Sequence, residues 1–127
     1  MISGLDHVQL AAPPDCEGAA RRFFGELLGL EEVAKPPLLA GRGGVWFRLG
    51  AQQLHVGVEP DFQPARKAHP AFATEELDDL AGRLEDAGAE PAWVDDIPGI
   101  RHFYVHDPWG NRLEFVTAVN RREDVPT

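Results

Sequence analysis

The sequence predicts an α+β fold made of two copies of one βαβββ unit. His7 and His69 lie 62 residues apart, and His55 and Glu114 lie 59 residues apart. Each of these four residues falls within a segment in which apolar and polar residues alternate, on the side opposite the apolar residues, as in a strand with one buried face. Two segments with helical periodicity also repeat, and the glycines that follow them are 59 residues apart. These matching intervals indicate a duplicated unit of roughly sixty residues.

The first unit begins with a predicted strand at residues 5–12, in which Val8 and Leu10 share a face. Two prolines end this strand, and Asp15 is the predicted N-cap of a helix that runs to about residue 28. Gly29 is the predicted cap at the other end of this helix. The remaining predicted elements of the unit are a short strand at residues 31–34, a loop at 35–44, and a hairpin of strands at 45–49 and 52–58.

The same order of elements returns after a linker at residues 59–68. Thr74 is the predicted cap of the second helix and Gly88 follows its last turn. The predicted strands of this unit are residues 69–74, 92–95, 100–106 and 112–117. One unit cannot cover both faces of a sheet, so the two should pair, within one chain or between chains. The predicted organisation is a single domain, 1–127, with modules at about 4–58 and 69–118 and a frayed polar tail at 120–127.

Composition narrows the functional classes. The net charge of −9 disfavours nucleic acid as a partner, because affinity for nucleic acid depends on cationic contacts to phosphate. No apolar run approaches the roughly 20 residues that cross a bilayer, and the first residues lack the pattern of a signal peptide. Cys16 is the only cysteine, so an internal disulfide is impossible. We therefore expect a cytoplasmic protein that acts on a small molecule.

Three segments, in this order and at this spacing, carry a resemblance to a known superfamily: LDHV at residues 5–8, HPAF at 69–72, and DPWGNRLEF at 107–115. From residue 5 to residue 116, the chain resembles the vicinal oxygen chelate superfamily. That superfamily includes glyoxalase I, extradiol dioxygenases, methylmalonyl-CoA epimerase, and the fosfomycin and bleomycin resistance proteins. The resemblance implies two βαβββ modules that form a cupped, barrel-like mixed sheet around a metal ion, and a homodimer.

The resemblance assigns metal ligation to His7, His69 and Glu114, and the position on the fourth strand matches His55. Two histidines and one carboxylate hold a divalent ion on one face and leave positions open for substrate. The ion could be nickel, zinc, manganese or iron. An isolated strand histidine is more often an ordinary half-buried residue, but three ligand types on matching strands favour a metal site. His55 has three interpretations: a fourth ligand, a base or hydrogen-bond partner, or a residue that faces solvent or a partner.

Tyr104 lies ten residues before Glu114. Extradiol dioxygenases resemble this segment and carry an acid/base tyrosine there, whereas the alternative is an ordinary strand tyrosine. The predicted catalytic residues are Glu114, Tyr104 and His55. The weaker candidates for the lining of a substrate pocket are Trp46, Arg48, Arg101 and His102.

The leading functional prediction is a metal-dependent enzyme with glyoxalase-like lyase or isomerase chemistry on a small oxygenated substrate. Glyoxalase I usually has a carboxylate where this chain has His55, which is a departure from that pattern. The first alternative is an extradiol ring-cleaving dioxygenase, which would use iron and Tyr104, although many such enzymes are longer. The second alternative is an antibiotic-resistance protein, either of the metal-dependent fosfomycin type or of the metal-free, drug-binding bleomycin type.

Overall fold

The chain forms two compact units in a computed structural model, which describes residues 1–117. The first unit contains Met1–Pro64 with Pro108–Asn111, and the second contains Ala65–Asp107 with the described residues that follow Asn111. Each unit has one four-stranded mixed sheet. The predicted α+β class with two βαβββ units is therefore confirmed. The predicted polar tail at residues 120–127 lies outside the described residues.

The first unit has its four strands in the spatial order β1-β4-β3-β2. Its strands are β1 (His7–Ala12), β2 (Glu32–Val33), β3 (Val45–Leu49) and β4 (Gln52–Val58). Helix α1 (Glu17–Ala20) continues as a π-helical segment at Arg21–Leu27, and a 3₁₀ helix spans Pro37–Arg42. Strands β1 and β4 are parallel, whereas β4, β3 and β2 are antiparallel neighbours.

The first helix begins and ends close to the predicted positions, but its predicted cap is wrong. Cys16 occupies the N-cap position and makes no capping bond. Asp15 instead has a φ of 65°, a left-handed backbone in which its side chain cannot serve the helix as an N-cap normally does. The predicted loop at residues 35–44 contains the 3₁₀ helix, whose first residue, Pro37, has the fixed φ that favours a helical first turn.

The second unit repeats this arrangement in the spatial order β5-β8-β7-β6. Its elements are β5 (Ala71–Thr74), α2 (Leu77–Asp86), β6 (Ala92–Val94), β7 (His102–His106) and β8 (Arg112–Thr117). The predicted cap, Thr74, is wrong as the N-cap, which is Glu76. The Thr74 hydroxyl accepts a hydrogen bond from the Glu76 backbone N–H at 3.0 Å, so it stabilises the turn before the helix.

The apolar face of the second sheet packs as a row of aromatic rings. Phe115 contacts Phe72 and Phe103, with ring centroids 5.4 and 5.3 Å apart. Burial of each such side chain contributes roughly 1.5–3 kcal/mol. Successive strand residues point to opposite faces, so Tyr104 and Glu114 project from the other face. The aromatic row thus fixes the strands that carry the polar candidate residues.

Strand register confirms the duplication. His55 pairs with Gln9 in the first unit, and Glu114 pairs with Ala71 in the second. In each case the candidate histidine, His7 or His69, lies two residues before that partner. His55 and Glu114 lie in the interior of a strand, whereas His7 is the first residue of β1 and His69 precedes β5. The expectation that all four lie within strands is therefore wrong for His69, and His7 lies at a strand end.

A helix that crosses a bilayer must be both long and apolar. Within residues 1–117, no helix has the length and the apolar character that crossing requires.

Candidate metal and substrate site

Glu114 is the centre of a polar cluster on the second unit's sheet. Its Oε1 lies 2.9 Å from His69 Nε2, and its Oε2 lies 3.0 Å from His102 Nδ1. The Tyr104 hydroxyl also donates to this carboxylate. Strand pairing explains the proximity, because Tyr104 lies directly across from Glu114 and β5, which follows His69, is parallel to β8. The fold thus brings together three residues that the sequence singled out and one weaker candidate.

Two opposing influences act on the Glu114 carboxyl. Burial raises its pKa, but the hydrogen bonds from His69, Tyr104 and His102 outweigh burial and lower the pKa overall. Hydrogen bonds to the charged form of a carboxyl favour that form. Glu114 is therefore an ionised carboxylate at neutral pH, with both of its oxygens hydrogen-bonded.

His69 faces an acceptor at each ring nitrogen. Its Nδ1 lies 2.7 Å from the Lys67 backbone oxygen, which can only accept, so Nδ1 must donate. A neutral ring then has a lone pair at Nε2, which faces Glu114 Oε1 at 2.9 Å. Nε2 therefore either carries a proton that it donates to Glu114 Oε1, or presents its lone pair beside that carboxylate oxygen. The tautomer with Nδ1–H bonded to a carbonyl is also the one that leaves Nε2 ready to ligate a metal.

His102 lies in the buried layer of this cluster, with 2% of its side chain exposed. Its Nε2 is 2.7 Å from Asp96 Oδ1, and its Nδ1 bonds to Glu114. The sequence suggested His102 as a pocket-lining residue, and the structure shows both of its nitrogens bonded to carboxylates. Sequence analysis missed Asp96, which lies in the connection after Val94, the strand partner of His102.

Tyr104 presents a neutral phenol to the cluster. Burial raises its pKa, and the hydrogen bond to Glu114 and the charge of Glu114 raise it further, whereas Arg112 lowers it. The Arg112 guanidinium carbon lies 4.0 Å from the centre of the Tyr104 ring, in the geometry of a cation–π contact. Sequence analysis also missed Arg112, although it lies two residues from Glu114 on the same strand face and within the most specific motif.

His55 is enclosed by rings in the first unit. Its ring stacks on Trp46 with centroids 3.8 Å apart and on His7 with centroids 4.3 Å apart. Only 5% of the residue is exposed, so the interpretation of His55 as a solvent-facing residue is wrong. Its Nε2 lies 2.8 Å from Gln53 Oε1. Burial lowers the pKa of His55, and the nearby His7 lowers it further, so its ring is neutral at neutral pH.

The remaining predicted residues each contact a carboxylate, and His7 does so in addition to stacking on His55. His7, a half-exposed side chain, has its Nδ1 2.9 Å from Asp6 Oδ2. Arg48 lies 3.8 Å from Glu31 in an exposed ion pair. Arg101 makes two hydrogen bonds of 2.9 Å to Asp78 on α2. Both arginines therefore have a carboxylate partner in the structure, which reduces the charge they can offer to a substrate.

The side chains predicted to ligate a metal belong partly to the first unit and partly to the second. Among residues 1–117, no group of three or more histidine, cysteine, aspartate or glutamate side chains is arranged to hold a metal ion. The second unit instead supplies one pair of ligand-type atoms, His69 Nε2 and Glu114 Oε1. Imidazole nitrogen and carboxylate oxygen are ligand types that divalent transition metals accept, so the chemistry of this pair fits such an ion.

Comparison with protein families identifies the chain. A family model described as "Glyoxalase-like domain" matches residues 12–116. The chain belongs to the glyoxalase-like domain family. No curated protein matches it in sequence. The family match and the structural relatives place this glyoxalase-like domain protein in the vicinal oxygen chelate superfamily, as its motifs predict.

Solved structures show the same fold. A glyoxalase family protein from Bacillus anthracis is 48% identical, with a TM-score of 0.89 over 92% of this chain and 96% of that one. The lactoylglutathione lyase of Agrobacterium tumefaciens is 24% identical, with a TM-score of 0.73 over 93% and 96% of the two chains. A mutant of the fosfomycin resistance protein FosX from Listeria monocytogenes, solved with Mn(II), is 20% identical, with a TM-score of 0.79 over 98% of both chains. The last two establish likeness of fold alone.

Proposed function

We propose that this glyoxalase-like domain protein is a divalent-metal-dependent enzyme that acts on a small oxygenated substrate by glyoxalase-like lyase or isomerase chemistry. The observation that carries the proposal is the contact between His69 Nε2 and Glu114 Oε1. An imidazole nitrogen and a carboxylate oxygen, both ligand types of divalent metals, are held side by side there, so a divalent ion could take the place of the shared proton. The structural relatives include proteins named as a lyase and as a manganese complex, which agrees with this interpretation.

The proposed ligands are the four residues that the sequence singles out for ligation, His7, His55, His69 and Glu114. Nitrogen and carboxylate donors of this kind suit zinc, nickel, manganese or iron. A divalent ion held by them would supply Lewis acidity toward adjacent substrate oxygens. The homodimer and the cytoplasmic location remain predictions.

Three side chains, among or beside the proposed ligands, could bind the substrate or transfer a proton. The neutral Tyr104 phenol holds a proton at Oη and can donate a hydrogen bond to a substrate oxygen. His55, if Nε2–H donates to Gln53, has its lone pair at Nδ1, where it can either ligate or accept a proton. The half-buried Arg112, fixed over the Tyr104 ring, favours a substrate with negative charge near that phenol.

Extradiol dioxygenation is the second candidate, because the Tyr104 hydroxyl bonds to the carboxylate of Glu114. A phenol in this position can protonate an oxygen-rich ring substrate. A protein named as a glyoxalase/dioxygenase from Nostoc punctiforme shares the fold, at 23% identity and a TM-score of 0.73. Oxygen consumption with catechols by the iron-loaded protein would favour this candidate. Tyr104→Phe should then slow turnover without loss of metal, and loss of metal would contradict the proposed role of the tyrosine.

Metal content tests the proposed function. The protein is purified without chelators, reconstituted with zinc, manganese, nickel or iron in turn, and analysed by elemental mass spectrometry. We expect close to one equivalent per site in the wild type, and loss of metal in His69→Ala and Glu114→Ala. His106→Ala is the matched control, since His106 is an exposed histidine at the end of β7. Less than about a tenth of an equivalent of every metal would contradict the proposal and favour a metal-free drug-binding protein.

A further inference from the structure

Asp96 and His102 form a hydrogen-bonded pair that ends on the carboxylate oxygen of Glu114 that His69 does not use. His102 Nδ1 is 3.0 Å from Glu114 Oε2, and His102 Nε2 is 2.7 Å from Asp96 Oδ1. The exposed fractions of the side chains fall from 59% for Asp96 to 2% for His102, with 12% for Glu114. A buried ring is thus anchored at both ends by carboxylates, one at the surface and one in the proposed metal site.

The hairpin between β6 and β7 brings the pair together. Val94, on β6, is the strand partner of His102, the first residue of β7. Asp96 follows Val94 by two residues, so the connection begins beside the histidine ring. On the other side, Glu114 pairs with Tyr104, and His102 lies two residues along the same strand face. Strand register therefore places His102 beside both Asp96 and Glu114.

We propose that Asp96 and His102 are positioning residues for Glu114. The Asp96 carboxylate fixes the buried imidazole, and the imidazole holds Glu114 Oε2 so that Oε1 points at His69 Nε2. This inference rests on the proposed metal-dependent function and assigns to that site two residues that bind neither metal nor substrate.

The geometry of the Asp96–His102 pair explains how it can restrain Glu114. An imidazole bonded at both nitrogens in a buried position cannot rotate without breaking at least one bond where water cannot replace it. A free glutamate side chain samples several rotamers, whereas Glu114 is held at Oε2 by His102, and its carboxylate is also bonded by the Tyr104 hydroxyl. Residues that orient a ligand in this way commonly affect metal affinity by 10- to 100-fold. The carboxylate is thereby arranged for a cation before one binds.

Core packing does not account for Asp96, because this side chain is mostly exposed. Its carboxylate is directed instead at the buried ring, where it bonds to His102 Nε2. The neighbouring Asp95 is also exposed and takes part in none of the ion pairs among residues 1–117. The two aspartates therefore offer a matched comparison, with the same charge removed one residue apart.

Zinc affinity is the first measurement. Competition titrations compare the wild type with Asp96→Ala, Asp96→Asn and Asp95→Ala. We expect Asp96→Ala to weaken binding about tenfold and Asp95→Ala to change it by less than about twofold. Asp96→Asn should recover part of the loss, because the amide oxygen can still accept from His102 Nε2–H. Equal affinities for Asp96→Ala and Asp95→Ala would overturn the proposal.

Crystal structures of the metal-free wild type and of metal-free Asp96→Ala are the second measurement. We expect Glu114 to leave His102 or to adopt more than one rotamer in the variant only. An unchanged Glu114 would overturn the positioning role whatever the affinities are. A wild type that binds no divalent metal would instead overturn the proposed function, and the crystal structures would still decide whether Asp96 positions Glu114.

Discussion

The two units share one topology and one strand register but surround equivalent positions with different chemistry. His55 and Glu114 occupy the same place on β4 and β8, and their strand partners Trp46 and Tyr104 correspond as well. In the first unit an aromatic ring stacks on the candidate ligand. In the second unit a phenol and a histidine donate hydrogen bonds to it. The two units thus have the same strand framework. The first unit has a stack of rings at the position where the second has a hydrogen-bonded carboxylate.

A glycine in one unit and a histidine in the other explain part of this difference. Gly44 and His102 are 58 residues apart, the same interval that separates Trp46 from Tyr104. Gly44 has a φ of 85° and lies against the backbone of β4, so a Cβ there would clash with the Val56 carbonyl oxygen. The first unit therefore has no room for the side chain that holds the carboxylate in the second.

Replacement of Gly44 by alanine should give the largest effect on stability. The clash with the Val56 oxygen and the positive φ should together cost about 3 kcal/mol in the free energy of unfolding. Gly29→Ala is the control, because Gly29 has a φ of 77° but no atom within 4 Å of the position that a Cβ would occupy, and should cost about 1 kcal/mol. Urea unfolding measures both. If Gly44→Ala and Gly29→Ala lower the free energy of unfolding equally, the close packing at Gly44 does not explain why the first unit lacks a side chain there.

The carboxylate of Glu17 should have a smaller, pH-dependent effect. The Gly44 N–H donates to Glu17 Oε2 at 2.6 Å, and this bond lowers the pKa of Glu17 from its ordinary value of 4.5. Glu17→Gln should therefore cost about 1 kcal/mol at neutral pH. The charged form stabilises the fold above pH 4.5, and this contribution disappears as the pH falls through the lowered pKa of the folded state.

Unfolding midpoints of Glu17→Gln, measured in urea from neutral to acidic pH, test this dependence. The exposed Glu59→Gln is the control. A difference from wild type that grows on acidification would contradict the assigned bond between α1 and the segment before β3.

The smallest expected effect is a change in the pKa of Tyr104, which has in the second unit the position that Trp46 has in the first. Tyr104 is the only tyrosine in the chain, so its ionisation can be followed by ultraviolet absorbance without interference from another tyrosine. In the metal-free protein, Glu114→Gln should lower the Tyr104 pKa toward 10, because the charge of the hydrogen-bonded carboxylate is removed. Burial, the largest cause of the raised pKa, remains. An unchanged pKa in Glu114→Gln, or the same decrease in the exposed control Glu90→Gln, would contradict the contact.

The features predicted best from the sequence are the strands, which depend on local alternation of apolar and polar residues. The bounds of β3 and β4 match those expected, because apolar alternation between turn residues specifies a strand. The caps at Asp15 and Thr74 were predicted wrongly, since capping depends on backbone angles that the residue type does not fix.

Among the site residues, too, those marked by a sequence pattern were predicted and those that depend on tertiary contacts were not. The internal repeat picked out Glu114 and His69, which the fold brings within 2.9 Å. It gave no signal for Asp96 or Arg112, because their contacts depend on the path of a hairpin connection and on the direction of a long side chain.

Zinc titration of the metal-free protein by calorimetry tests the central claim most directly, that His69 and Glu114 of the second unit are ligands of a divalent ion. The comparison is between wild type, Glu114→Gln and the exposed control His106→Gln. The account predicts binding by the wild type and the control, and a loss of at least about a hundredfold in Glu114→Gln, more than a residue that only orients a ligand would cost. Binding by Glu114→Gln with the affinity of the wild type would contradict it.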